Sequence, residues 1–345
     1  MPGTIIHIGD VHLGTSSDYV QDILSQQISV LDLIFSEAEK NQASAIVIAG
    51  DLFNSPQVPN AVINRFFSMA SGHKSIPVII ASGTHGHDSI ENEKSVYRRP
   101  IFKSKPDNVT LLDDASGGHV IVNGIAFYSR NFKELASGAD YHVLVFHGNR
   151  QEASNYIQSS AIRNYSYIAM GHFHFFNEFK IEGITAAYCG TPLAFEAPKG
   201  SQGKNDSTYA LVHLERGGTT VEQRSASGIN IIKAFIASEE HIERLKGLVN
   251  KDTHVILSGK VDLREKVENE IKPLAATFSF DGITLGGVPP MLIKLLDEII
   301  AARMKDGDGN IPWEDVREVA LKLISNEEGK GFLNPERFIC ETIII

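Results

Sequence analysis

The sequence predicts an α/β layered core, followed by a small α+β unit and a helical C-terminal segment. Three observations predict it. Between Thr4 and Ala81, short apolar runs of strand length alternate with segments of helical period, the pattern of strands crossing over through helices. Near Ala226-Ser227-Gly228 that alternation starts afresh, and 345 residues exceed the roughly 250 to 300 that one hydrophobic core usually serves. From Met291 onward the apolar residues keep helical spacing alone. These shifts set the expected domains at 1–228, 229–286 and 287–345.

In order, residues 4–9 (TIIHIG) form a buried strand ending at Asp10-Val11-His12, whose first and third side chains leave an extended chain on one side. Residues 20–40 place Ile23, Val30, Leu31, Ile34 and Ala38 on one helical face. Residues 45–49 (AIVIA) are a second buried strand, running into Gly50-Asp51. Asn60 is a candidate cap for a helix over 61–71. The third strand, 77–81 (PVIIA), opens into Gly83-Thr84-His85-Gly86-His87-Asp88. Short strands follow at 109–112, 120–122 and 125–128, with Asn123-Gly124 marking a hairpin turn.

Residues 141–146 (YHVLVF) end at His147. The next apolar run, within SYIAMGHFHF at 166–175, breaks at Gly171, where the backbone is expected to turn, and presents His172 and His174. Residues 179–181, 185–189, 208–214 and 219–224 read as a run of antiparallel strands. In the small unit, strands over 231–237, 255–261 and 277–283 alternate with helices over 239–249 and 263–271. Helices over 291–304 and 313–324 pair across 305–310, a loop whose register lacks the oxygen ligands of a calcium site and reads as a plain turn.

A formal charge of −10 argues against a generally basic nucleic-acid coat but permits a local basic groove. Cys189 and Cys340 match no metal or redox spacing and read as small buried hydrophobes in a reducing compartment. No window approaches the ~18 apolar residues of a membrane span, and MPGTIIHIGD lacks a basic region followed by a long apolar stretch. The expectation is a cytoplasmic protein without membrane contact.

Successive strand ends therefore carry Asp10 and His12, then Asp51, then His85 or His87, then His147, then His172 and His174. Open α/β sheets bind their ligands at such ends. Each residue alone reads equally well as a capping Asp or a hydrogen-bonded core His; their recurrence points to metal. Carboxylates and neutral imidazoles are the ligand set for two neighbouring first-row divalent cations, with Asp51 placed to bridge them. The lack of cysteine argues against structural zinc.

The ordered set Asp-x-His, Gly-Asp, His, His and Gly-His-x-His resembles the calcineurin-like metallophosphoesterases over about residues 4–225. More narrowly, GDVHLG (9–14), GDLFNSPQVP (50–59), MGHFH (170–174) and CGTPLAF (189–195) resemble the SbcD-type nucleases of DNA double-strand-break repair. The resemblance implies a two-sheet α/β sandwich core, a capping domain at 229–286, and trailing helices that engage a partner ATPase with a long coiled coil. It implies one metal on Asp10, His12, Asp51 and His174, and a second on Asp51, His147, His172 and an Asn of the third motif.

That Asn is absent here. Aligned from its start, the motif has Thr84 at the Asn position and His85 as the catalytic histidine; aligned from its end, it has Gly86 and His87, followed by Asp88. Thr84, Asp88 or water would complete a second site of weaker or more selective occupancy. The implied activity is hydrolysis of DNA phosphodiesters from the 3′ end or within single strands, usually with manganese, by an assembly containing two copies of the chain. His85 or His87 would steady the transition state or protonate the departing oxygen.

Lys94, Arg98, Arg99, Lys103 and Lys105, with Tyr97 and Phe102 interleaved, form a basic cluster that reads either as a DNA-tracking surface or as a solvated face. Two rival functions fit the same residues. One is a phosphodiesterase or phosphatase for a nucleotide or other small molecule; the other is a DNA- or partner-binding protein whose altered third motif has cost it catalysis.

Overall fold

In a computed structural model of the chain, the described residues are 3–17, 20, 22–83, 94–114, 118–130, 136–159, 164–196, 203–236 and 238–283. Thr84, His85, His87, Asp88 and the segment 287–345, expected to be helical, lie outside them. The chain divides into two compact units, Met1–Glu196 with Asn205–Asn230, and Ala197–Lys204 with Ile231–Ile345.

The first unit begins with β1 (Gly3–Ile8), α1 (Ile23–Lys40), β2 (Ala45–Ala49), α2 (Asn60–Gly72), β3 (Val78–Ala81) and β4 (Val109–Leu111). The four strands pair in parallel in sequence order. A second sheet holds β5 (His119–Val122), β6 (Ile125–Tyr128), β7 (Tyr141–His147), β8 (Tyr167–Gly171), β9 (Phe176–Ile181) and β10 (Ile184–Cys189), in the order β5-β6-β7-β8-β10-β9. Between β7 and β8 lies α3 (Arg150–Ser159). β11 (Gly203–Glu215) returns to the first sheet antiparallel to β1, with Ile5 opposite Val212, and β12 (Gly218–Ile236) lies beside it.

Strand alternation sorts the side chains into layers. Ile5, Val47 and Ile79 from the first sheet pack with Phe127, Val143 and Tyr167 from the second. Their neighbours Ile6, Ile8, Ile46 and Ile48 point the other way, onto Leu31 and Phe35 of α1 and Phe66 of α2. On the far face of the second sheet, Leu144 and Met170 meet Ala153 and Ile157 of α3. The result is the two-sheet α/β sandwich, and burial on both faces is why β1 and β2 read as continuous apolar runs.

Several expectations are corrected. The strands after His174 are not one antiparallel run: β9 and β10 form an antiparallel hairpin, but β10 pairs parallel with β8, and β11 leaves for the other sheet. β12 runs unbroken through Ala226-Ser227-Gly228, where Ser227 Oγ accepts from Ile229 N (3.2 Å) and Asn230 Nδ2 donates to Gly228 O (2.8 Å). The helix α3 is not among the elements expected from the sequence. Asn60 is the first helical residue of α2, with Pro59 in the cap position.

In the second unit the end of β12 is followed by α4 (Glu239–Lys246), β13 (Thr253–Lys260), α5 (Arg264–Glu270) and β14 (Thr277–Ile283). Its own core joins Ile232 and Ile236 to Ile242, Leu245, Leu257, Val267 and Ile271. β13 and β14 pair in parallel across α5.

Candidate metal centre

Because β1 and β2 pair in parallel, they end side by side, and the loops leaving them stay joined. Asp10 N donates to Gly50 O (3.2 Å), His12 N to Asp51 O (2.9 Å) and Leu13 N to Leu52 O (2.9 Å). Gln27, on the buried face of α1, donates from Nε2 to the carbonyls of Val11 (2.7 Å) and His12 (3.1 Å). The Thr191 hydroxyl donates to Asp10 O (2.9 Å), and His172 N to Asp10 Oδ2 (2.9 Å). These bonds hold Asp10, His12 and Asp51 at φ 50°, 48° and 48°, a left-handed conformation that costs a non-glycine residue on the order of 1 kcal/mol or more.

His147 closes β7. Its Nδ1 donates to Ala49 O (2.7 Å), which turns Nε2 toward the carboxylates, 3.1 Å from Asp51 Oδ2 and 3.9 Å from Asp10 Oδ1. His12 Nε2 lies 4.0 Å from Asp10 Oδ1 and 3.8 Å from Asp51 Oδ2. His174 Nε2 lies 3.7 Å from Asp10 Oδ1, while its Nδ1 meets Glu196 Oε1 at 2.9 Å.

Two overlapping groups result, Asp10-His12-His174 and Asp10-Asp51-His147, each with its ligand atoms within 4.8 Å of one another. Asp10 is common to both, whereas the expected bridge is Asp51; Asp51 nonetheless stands between His12 and His147. His172 falls in neither group. Its ring packs edge-on against that of His147, centroids 5.5 Å apart. The turn expected at Gly171 falls instead on His172, at φ 105°. Gly171 is required for space: a side chain there would collide with Ala49 O and press on His147 Nδ1. A side chain at Gly83, where the third motif begins, would likewise strike Asp51 Oδ1.

The donor set fits a divalent cation. Asp10 Oδ1 and His12 Nε2 are buried without a hydrogen-bond partner, although a buried polar atom is ordinarily satisfied. Burial, opposed by Asp51 and Asp10, pulls the His12 imidazole down toward its neutral, ligating form. Burial pulls His147 down too, but Asp10, Asp51 and the Ala49 carbonyl outweigh it and hold the imidazolium up to about 9. The field in this pocket favours positive charge.

A calcineurin-like phosphoesterase family model matches residues 3–176, which contain Asp10, His12, Asp51, His147, His172 and His174. The chain belongs to the calcineurin-like phosphoesterases. This is a family of metal-dependent hydrolases, and divalent cations bound at such a site would supply Lewis-acid stabilisation of phosphoester oxygens. One component of the nuclease SbcCD from Bacillus subtilis (strain 168), its SbcD chain, is 21% identical over 295 residues, covering 67% of this phosphoesterase and 75% of that protein. The DNA double-strand break repair protein Mre11 of Methanopyrus kandleri is 24% identical over 244 residues, 61% of this chain and 54% of its own. The phosphoesterase thus spans about half the length of that archaeal relative. Among solved structures, a dimetal phosphatase from Danio rerio superposes with a TM-score of 0.44 at 9% identity, covering 67% of this chain and 98% of that one.

The basic cluster resolves into separate roles. Arg99 donates to the carbonyls of Pro56 (3.3 Å) and Val58 and to Asn60 Oδ1, tying its loop to the start of α2. Tyr97 and Phe102 are buried against Phe53, which corrects the expected interleaving of aromatics with charge on one surface. Lys94, Arg98 and Lys103 are exposed. Among the described residues no helix is long and apolar enough to cross a membrane.

Sequence reasoning missed Glu196, Gln27 and Thr191. Gln27 had a signal, a polar residue on the apolar face of a helix beside Ile23, Val30 and Leu31. Thr191 falls within the CGTPLAF motif, but its bond to Asp10 joins residues far apart in the chain; Glu196 had no signal, since His174 lies more than 20 residues before it.

Proposed function

We propose that this phosphoesterase is a two-metal DNA nuclease, using manganese to hydrolyse phosphodiesters from a 3′ end or within single strands during repair or recombination. The observation that carries the reading is the buried, unpartnered pair Asp10 Oδ1 and His12 Nε2, set among His147, His174 and Asp51. The likeness to a nuclease component over 67% of the chain supports DNA as the substrate.

In this reading Asp10, His12, Asp51 and His174 hold one cation. Asp51, His147 and His172 hold the other, which Thr84 or Asp88 completes. His85 or His87 protonates the departing oxygen. Lys94, Arg98 and Lys103 track the phosphates, and residues 229–286 serve as a capping domain. Residues 287–345 engage an ATPase partner with a coiled coil, and the working form is a homodimer.

A labelled oligonucleotide incubated with manganese tests the reading. Metal-dependent shortening is expected, and Asp51→Asn should slow it by more than the roughly 10- to 100-fold typical of losing a group that merely orients a ligand. Intact oligonucleotide under saturating manganese, or undiminished cleavage by Asp51→Asn, refutes it.

A further inference from the structure

Among the exposed large apolar side chains of the described residues, Phe175 is the one aromatic, 44% exposed. It sits next to His174 in the loop that leaves β8, so the same few residues that face the carboxylates also lift this ring to the surface. Phe173 lies beneath it, ring centroids 5.4 Å apart. Phe173 is in turn fixed edge-on by Tyr188 at 4.8 Å, and Tyr188 packs on Phe179 at 5.1 Å. Phe173 also touches the His172 ring at 5.0 Å, and His172 touches His147 at 5.5 Å. The exposed ring therefore connects to the metal centre through a short chain of ring contacts.

We infer that Phe175, braced by Phe173, is a stacking shelf for an unpaired nucleobase of the strand being cut. The inference rests on the nuclease reading and names what that substrate offers next to the scissile phosphate. An unpaired base presents an apolar face that stacks on an aromatic ring whatever its identity. Its phosphates need a cation near the rim, and the Arg150 guanidinium lies 5.2 Å over the Phe179 ring, supported by its bond to Lys180 O (3.0 Å). A paired base has its faces covered by its neighbours, so the shelf selects single-stranded or frayed ends. Tyr97 and Phe102, the aromatics expected to meet DNA, are buried and cannot serve.

The test uses the full chain carrying Asp51→Asn, which blocks turnover, and an oligonucleotide with 2-aminopurine at its single-stranded 3′ end. Stacking quenches this fluorophore. Quenching is expected with the Asp51→Asn protein and with an added Phe175→Tyr change. An added Phe175→Ala change should abolish quenching and weaken binding roughly tenfold, the loss of about one stacked base. In the active protein, an oligonucleotide whose terminal nucleotide is abasic should be cut more slowly than its normal counterpart, with that ratio falling toward one in Phe175→Ala. Equal quenching with and without the ring overturns the inference. So does a changed oligomeric state in Phe175→Ala with quenching intact, which would assign the ring to a protein contact. If the unsubstituted protein leaves every oligonucleotide uncut while Phe175-dependent quenching persists, the nuclease reading fails and the shelf stands.

Discussion

His174 offers one ring nitrogen toward Asp10 and the other to Glu196, 3.7 Å and 2.9 Å away. A carboxylate on the far nitrogen fixes the ring's orientation and raises its basicity, so Glu196 is a positioning residue. Glu196→Gln is expected to weaken manganese binding by about 10- to 100-fold in calorimetric titration, with little change in melting temperature. An unchanged affinity would remove Glu196 from the site. At this scale the sequence is most legible where a residue type is chemically scarce: Asp10, His12, Asp51, His147 and His174 all stand out in it, and all converge. It is least legible where a side chain acts on a distant backbone atom, as Thr191 does on Asp10 O.

α3 shows why some elements escape notice. Only Ala153 and Ile157 of its residues are buried, so it carries no apolar stripe to read. What starts it is a reciprocal cap: Asn149 Oδ1 accepts from Glu152 N (2.9 Å), and Glu152 Oε2 accepts from Asn149 N (3.2 Å). That Asn-x-x-Glu pattern is the available signal. Asn149→Ala is expected to destabilise the first unit by about 1 kcal/mol, read as a lower melting temperature. An unshifted melt would show that the cap contributes nothing. β2 and β3 are legible because burial on both faces leaves no polar position, and β1 departs from that only at Thr4 and His7, whereas strand partners are not legible. β10 pairs parallel with β8 on one side and antiparallel with β9 on the other, and no local pattern encodes that.

Acid tolerance belongs to the folded molecule as a whole, and His7 controls part of it. This imidazole lies fully buried between the sheets, its Nδ1 bonded to the Tyr167 hydroxyl (3.0 Å). Burial, only partly opposed by a backbone contact at Met170, lowers it from 6.5 to about 3. The unfolded chain therefore takes up a proton between about 6.5 and about 3 that the folded chain refuses. Its contribution to stability is complete above that window and is lost as pH falls through it, by about 1.4 kcal/mol per pH unit. Urea unfolding at neutral and mildly acidic pH should show a smaller difference in His7→Gln than in the parent, and identical differences would refute this.

Gln27 carries a last consequence. Its amide grips two carbonyls of the first motif from a helix that contributes no ligand, so the strand-end motifs do not make up a self-sufficient cassette. An engineer transplanting these loops onto another α/β scaffold would have to bring a donor at the matching helical position as well, or the grafted His12 would lose one of the bonds that aim it.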